Sequence, residues 1–339
     1  MSARIRAARE RRGWSQAELA DRAGVSRQLV GALEAGRHVP NVTAAMAIAT
    51  ALGSTVEELF GPTSDRPTPV TGDPLSPGTA VSLGRVGTEL VAIPAAHRTA
   101  SSEAWALTDG VVDEDGAVSL VDTGPFEGLV IAGCDPAVAL IAGLVERRTR
   151  HRIVAFHAST ARSIKTLASG HAHAAVVHGP AGALPAPPLP VRRWHLARWQ
   201  VGLASGRGKG VPTVDEIAER RLRVVQRDEG AGTQQAFTRA LARIGAKPAP
   251  GPIAEGHIDV ARRVAAGAPV GVTMEAASRS FDLRFCPLET HEVELWVDQR
   301  WADLPEVTAV VETLNSPALR SRLGFIGGYE LTDTGARVA

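Results

Sequence analysis

Apolar residues recur at helical spacing through the first 60 positions and at strand spacing in several runs after Leu129, and this change of period divides the chain. The stretch 15–41 is the most legible. Ser15 followed by Glu18 makes a capping box, so a helix is expected from Gln16, with Leu19, Ala20 and Ala23 as its apolar stripe. Gly24 supplies a left-handed stop, and Val25 is the lone apolar residue of the turn. Ser26 then caps a second helix whose Leu29, Val30 and Leu33 face inward. Arg27 and Gln28 are left pointing outward from its first turn. A helix over 2–12 precedes this pair, and two more, over 42–52 and 55–59, follow it.

Positions 61–79 hold five prolines and three glycines without periodicity, the composition of a linker. Short alternating runs over 80–127 predict a β-rich connector. From Leu129 strands alternate with helices: a strand at 129–133, a helix over 135–147, a strand at 152–156, a helix over 159–168 and a strand ending near His178. A long strand over 191–205 crosses to a second group, with helices over 213–219, 232–244 and 258–266, then a return strand, a helix at Glu275, two strands and terminal helices. The alternation predicts parallel β-α-β units in an α/β fold of two lobes with a cleft. The expected divisions are 1–62, 63–79, 80–127 and 128–339.

At 339 residues and 44% hydrophobic, the chain has the size for two or three domains, each with a core. Net charge is only +1, yet the first 40 residues carry eight arginines against four acidic side chains, a local positive field of the kind that phosphate binding uses. Cys134 and Cys286 are the two cysteines, no apolar run approaches the roughly 18 residues of a membrane span, and the N-terminus is a charged helix rather than a leader. A cytoplasmic protein with reduced thiols is expected.

Candidate chemistry gathers at three strand-to-helix junctions. The first runs from Gly133 through Cys134 and Asp135, where Asp135 is expected to cap. The second holds His157, Ser159 and Thr160, with Ser159 or Thr160 as the cap. The third runs from Arg227 to Phe237 and includes Ala231, Gly232 and Thr233. Helix starts offer unpaired N–H groups and a positive dipole end, so three aimed at one cleft suit a tetrahedral anion. His178 at a strand's carboxyl end is a further donor, and Glu275 either caps its helix or lines the cleft. Cys134 at a helix start is a possible nucleophile, although no His–Asp arrangement is legible beside it. His157, His171, His173 and His178 lack the Cys or carboxylate spacing of a ligand set, so no metal and no cofactor are expected.

Two resemblances give these pieces a function. Ser15-Gln16, Leu19-Ala20, Gly24-Val25-Ser26, Glu34-Ala35-Gly36-Arg37, Pro40, 49–52 and Leu59-Phe60 resemble the Cro/repressor-type helix-turn-helix family, which implies that Gln16, Ser26, Arg27 and Gln28 approach DNA, with Arg37 nearer the backbone. The run from Leu129 to Gly335 resembles the periplasmic-binding-protein-like domain related to molybdate- and tungstate-binding proteins, through 132–137, 170–178, 230–233, 271–277, Ser316-Pro317, 327–329 and Thr334-Gly335. The chain departs from that pattern at Ser159-Thr160 and at Gln234, where the family carries Gly-Ser and Arg. Together they imply a multidomain protein, an all-α helix-turn-helix domain joined to a type-2 periplasmic-binding-protein-like domain. Its implied function is a one-component, non-enzymatic transcriptional regulator. Expected partners are double-stranded operator DNA, an anionic effector of the molybdate type held by Cys134, Asp135, Ser159, Thr160, His178, Ala231, Gly232, Thr233 and Glu275, and a second copy of the chain. Two alternatives stay open: an organic effector, pterin-like or phosphorylated, and a DNA-tethered enzyme using Cys134.

Overall fold

The computed structural model describes residues 2–35, 37–60, 67–98, 108–121, 126–208 and 210–338. Contacts group the chain into two compact units, one of Met1–Ala92 with Thr108–Glu127 and one of Ile93–Leu107 with Gly128–Ala339. Residues 93–98, read from sequence as part of the connector, thus group with the second unit.

Five helices open the first unit: α1 Ser2–Arg11, α2 Gln16–Ala23, α3 Arg27–Glu34, α4 Val42–Ala51 and α5 Val56–Phe60. Their ends are where local chemistry puts them. The Glu18 N–H donates to Ser15 Oγ while Ser15 N–H donates back to Glu18 Oε2, Gly24 sits at φ 62° and ψ 32°, and Ser26 and Asn41 cap α3 and α4. Ile5, Leu19, Val30, Leu33, Ile48 and Leu52 form the core. Beside it Glu34 joins three helices: Arg9 Nε and Nη2 donate to its two oxygens at 2.6 and 3.0 Å, and Gln16 Nε2 donates to Oε2 at 2.9 Å. Position 36 lies outside the described residues.

The sheet that follows has the order β1-β3-β2-β4-β5, with β1 Thr68–Pro69, β2 Ala80–Val86, β3 Glu89–Pro94, β4 Gly110–Val112 and β5 Val118–Leu120. Val81, Leu83, Leu90, Ala92 and Val112 fill its core. Part of the stretch 63–79, read as a linker, is ordered structure. Thr68–Pro69 pair in parallel with Val91–Ala92, and buried Val70 donates its N–H to the Ala92 carbonyl. Proline tolerates this place because β1 is an edge strand, where a missing donor costs little. Positions 61–66, 99–107 and 122–125 lie outside the described residues.

The second unit carries β6 Leu129–Gly133, α6 Ala137–Thr149, β7 Ile153–His157, α7 Thr160–Ala168, β8 Ala174–Pro180 and β9 Val191–Ser205. After these come α8 Val214–Glu219, β10 Val224–Val225, α9 Gly232–Ala242, α10 His257–Ala265, β11 Val270–Met274 and α11 Glu275–Ser280. The unit ends with β12 Arg284–Asp298, α12 Pro305–Leu314, α13 Pro317–Ile326 and β13 Arg337–Val338. The sheet order is β10-β11-β9-β12-β8-β6-β7, with β13 on β9. Strands β6, β7 and β8 are parallel, as alternating β and α elements require, while β9 and β12 run antiparallel along their whole lengths and join this parallel group to β10 and β11.

One expectation is corrected here: the two strands read after Glu275 are a single strand, β12. Pro287 interrupts its pairing without ending it, because the register shifts between Pro287 and Glu289. Opposite, Gly202 admits the close approach, since a Cβ there would stand 2.2 Å from the Cys286 carbonyl oxygen.

Replacing Glu34 by Ala leaves Arg9 with only the exposed Glu10 carboxylate, 3.3 Å from Nη2, as counter-charge, a loss of up to about 3 kcal/mol. Burial alone would raise the Glu34 carboxyl, but hydrogen bonds from Arg9 and Gln16 outweigh it and hold it below its ordinary 4.5. Glu34 therefore stabilises the helices above that pH, and the contribution is lost as pH falls through the lower folded value. A lower melting temperature for Glu34→Ala at pH 7, with the difference shrinking in acid, is the expected outcome of thermal unfolding followed by circular dichroism.

Candidate functional site

Strand β6 ends at Gly133, so Cys134 and Asp135 make the turn into α6. Asp135 Oδ1 accepts the Ala137 N–H and the Tyr329 hydroxyl, each at 2.8 Å, and Oδ2 accepts Trp199 Nε1–H at 2.9 Å. Its carboxylate is turned back and occupied, and burial raises it above the usual Asp range against these bonds. An Asn here would set an amide N–H2 against one of three donors.

At the second junction Ser159 stands at the cap position of α7 but caps nothing: its buried Oγ has no hydrogen-bond partner. Thr160, also named as a cap, instead donates its hydroxyl to the His178 carbonyl at 3.2 Å and so ties α7 to the end of β8. At the third junction Ala231 is buried with its N–H on the Asp228 carbonyl, and Thr233 Oγ1 is buried without a partner. The Ala161 N–H reaches the Gly230 carbonyl at 3.3 Å, so the starts of α7 and α9 abut. Gly232 lies against His178, where a Cβ would come within 3.0 Å of the ring.

His178 links these starts to Cys134 through a chain of directed contacts. Its Nε2 is 3.1 Å from Cys134 Sγ, its Nδ1 is 2.8 Å from His291 Nδ1, and His291 Nε2 is 2.6 Å from Glu289 Oε1, to which Arg239 Nη2 donates at 2.5 Å. The directions follow from the carboxylate, which only accepts. His291 carries its proton on Nε2 and accepts at Nδ1; His178 donates from Nδ1 and turns the lone pair of Nε2 to Cys134. Both imidazoles are neutral, because burial lowers each, and the neighbouring charge of Arg227 lowers His178 further. His257 Nε2 approaches the same sulfur at 3.8 Å, and its Nδ1 has no partner.

Arg227 is the charge at the centre. It is 1% exposed, Nη2 donates to the Glu255 carbonyl at 3.1 Å and lies 3.3 Å from His157 Nε2, while Nε and Nη1 have no partner. Among the described residues no carboxylate is within ion-pairing distance of it. Gln234 serves the backbone here, accepting the Arg227 N–H at 3.1 Å. Beside the cluster opens a cleft of about 620 Å³, lined in part by His97, Cys134, His157, Phe156, His257 and Ile258.

Cys134, Ser159, Thr160, His178, Ala231, Gly232 and Thr233 are thus brought together, with Asp135 behind them. Glu275, read as a cap or cleft residue, neither caps α11 nor lines that cleft; its carboxylate accepts from Arg279 Nε one turn along the helix. His173 is structural, accepting the Val130 N–H at 2.9 Å. Cys134 has the imidazole neighbour that the sequence did not show, His178 Nε2 at 3.1 Å, but burial drives its thiol up to about 12, which weighs against its use as a nucleophile. Sequence reasoning missed Arg227, His257 and His291. Arg227 opens the third junction and was passed over as its flank; the histidines carry no local signal.

In the helical domain Ser26, Arg27 and Gln28 are exposed at the start of α3, and Arg37 is exposed beyond its end. Gln16 is half-buried on the same side of α2, its amide held by Glu34.

The PBP superfamily domain model matches residues 142–315, just over half of the chain. The chain belongs to that family. Residues 5–59 match the Helix-turn-helix model. YvgK of Bacillus subtilis (strain 168), itself uncharacterized, is 27% identical over 135 residues, 38% of this chain and 43% of its own length, so the chain spans less than half of that relative. An uncharacterized HTH-type transcriptional regulator of Methanothermobacter thermautotrophicus is 47% identical over 57 residues, 16% of this chain and 83% of its own length. Among solved structures the tungstate ABC transporter protein of Geobacter sulfurreducens is 12% identical with a TM-score of 0.44, covering 58% of this chain and 97% of its own, too distant a likeness to bear on the ligand. The chain thus carries a helix-turn-helix domain followed by a PBP-like domain. Among the described residues no helix is long and apolar enough to cross a membrane.

The PBP domain's buried imidazoles make its stability depend on pH. Burial, assisted by the charge of Arg227, lowers His157 to about 4, and His178 and His257 are lowered well below 6.5. Unfolded, these rings take up protons near pH 6.5; folded, they do not. Their contribution is whole above that value and is lost as pH falls toward the folded values, by about 1.4 kcal/mol per pH unit for each group. Differential scanning calorimetry should show the domain melting lower at pH 5 than at pH 7.5, and His157→Gln should reduce that difference.

Proposed function

We propose that the protein is a one-component transcriptional regulator whose effector is a small anion, held by Arg227, Ser159 and Thr233 at the abutting starts of α7 and α9. The observation that carries this reading is the Arg227 guanidinium, buried with Nε and Nη1 unpartnered and, among the described residues, with no carboxylate within ion-pairing distance. Burying a charge without a counter-charge is costly, and an anionic ligand is what would offset it. Ser159 Oγ and Thr233 Oγ1, also buried and unpartnered, add hydroxyl donors, and the helix starts add N–H groups. Arg227 then takes the part of the arginine missing at Gln234. The effector changes DNA affinity only through its different affinity for open and closed lobes, with β9 and β12 as the shared hinge. The neutral thiol of Cys134 favours a binding protein over an enzyme.

A second reading keeps the anion but makes it the charged end of an organic molecule. The cleft of about 620 Å³ favours this, being of the size that small organic ligands fill. Calorimetry of the whole protein with molybdate, tungstate, sulfate and phosphate tests both. Binding of one of the four is expected; heat only with a carboxylated or phosphorylated metabolite supports the second reading, and binding of neutral compounds alone sinks both. Arg227→Gln should weaken the anion by about 2–5 kcal/mol. Thr233→Val should weaken it by about 1.5–3 kcal/mol while leaving the free protein as stable or more so, because it removes an unpartnered hydroxyl.

On DNA, a dimer on two half-sites about 34 Å apart is expected, because one recognition helix spans few base pairs. Arg27→Ala and Gln28→Ala should each lose about 1–3 kcal/mol of discrimination in gel-shift titrations. Unchanged selectivity in both would put the wrong face of α3 against the bases.

A further inference from the structure

Cys134, His178 and His257 come from the turn before α6, the end of β8 and the first residue of α10, and each is buried. One donor atom from each lies within 4.8 Å of the other two, with the sulfur 3.1 Å from His178 Nε2 and 3.8 Å from His257 Nε2. A tetrahedral zinc ion, with bonds of about 2.3 Å to sulfur and 2.0–2.1 Å to nitrogen, holds such atoms about 3.5 Å apart. The two observed separations straddle that spacing.

Two further features point to a ligand. His178 is oriented from behind: its Nδ1 is engaged by His291, which Glu289 and Arg239 hold in turn, so its Nε2 lone pair faces the sulfur. Metal-bound histidines are supported in this way, with the far nitrogen donating to a fixed acceptor. His257 is a fully buried imidazole whose Nδ1 has no partner and whose Nε2 has only the distant sulfur contact. Coordination through Nε2 would engage that nitrogen, which core packing leaves with the 3.8 Å sulfur contact alone; Nδ1 keeps its place without a partner.

We propose that Cys134, His178 and His257 form a site for one Zn²⁺ ion, making the PBP domain responsive to a metal as well as to an anion. One thiolate and two imidazoles suit a borderline-soft cation and exclude Mg²⁺ and Ca²⁺, which require oxygen ligands. Binding forms an S–Zn bond as the thiol proton leaves to water. A fourth position stays open for water or for the anion; that last step rests on the anion reading, whereas the metal site does not.

The test is a titration of the full-length, chelator-treated protein with Co²⁺, which takes tetrahedral zinc sites and colours them. One Co²⁺ per chain is expected, with a near-ultraviolet thiolate-to-cobalt band that Zn²⁺ reverses. The chain has only two cysteines, Cys134 and the exposed Cys286, so a band that survives in Cys286→Ser can come only from Cys134. Cys134→Ser should abolish the band, and His257→Gln should weaken binding roughly tenfold or more. No band in the wild-type protein, a band lost in Cys286→Ser, or one that persists in a folded Cys134→Ser overturns the site. Calorimetry of the same metal-free protein with oxyanions keeps the two readings separable, since anion binding without a cobalt band removes the metal alone.

Discussion

The antiparallel pairing of β9 with β12 is the constraint on which the PBP domain depends. Both strands carry fifteen residues and bond to each other along their length, and the groups on either side, β10-β11 and β8-β6-β7, are joined through them. The site is built on their middle. Trp199 of β9 is registered opposite His291 of β12, and Val293, two residues on, lies opposite His178 of β8. Shifting either strand by one residue would turn Trp199 and His291 to the other face. The hydrogen bond to Asp135 and the contact with His178 would both be lost.

On this frame the domain concentrates unsatisfied chemistry. Ser159, Thr233, Arg227 and His257 each bury polar atoms without partners, and they come from segments far apart in sequence. Buried polar groups are almost always hydrogen-bonded, so the gathering of these exceptions in one place supports the proposed occupant. Asp135 is the contrast. It is as buried as they are, but its oxygens are satisfied by the backbone, Trp199 and Tyr329, and it acts as structural support for the turn that presents Cys134.

What could be read from the sequence was what is decided locally. Ser15 with Glu18, Gly24 and Ser26 punctuate helices through contacts three residues apart, and the long strand read over 191–205 is β9 at its full extent. The junctions at Cys134, Ser159 and Gly232 were legible for the same reason. The use of their side chains was not. Whether Ser159 caps its helix or leaves its hydroxyl free depends on Gly230 and the start of α9, some seventy positions away. His257 meets Cys134 across 123 positions and His291 meets His178 across 113, with no periodicity to announce either. The prolines of 63–79 misled because composition reports the average habit of a residue, while an edge strand accepts Pro69 for a reason of place.

The burial of the site has a consequence for timing. Ser159, His178, Arg227 and Thr233 are shielded from solvent, whereas Cys134 and His257 also line the cleft, so the proposed occupant would enter and leave on the Cys134 side. The narrower that passage is, the longer the proposed effector would stay after its supply falls, and the more a regulator of this kind would average over brief fluctuations.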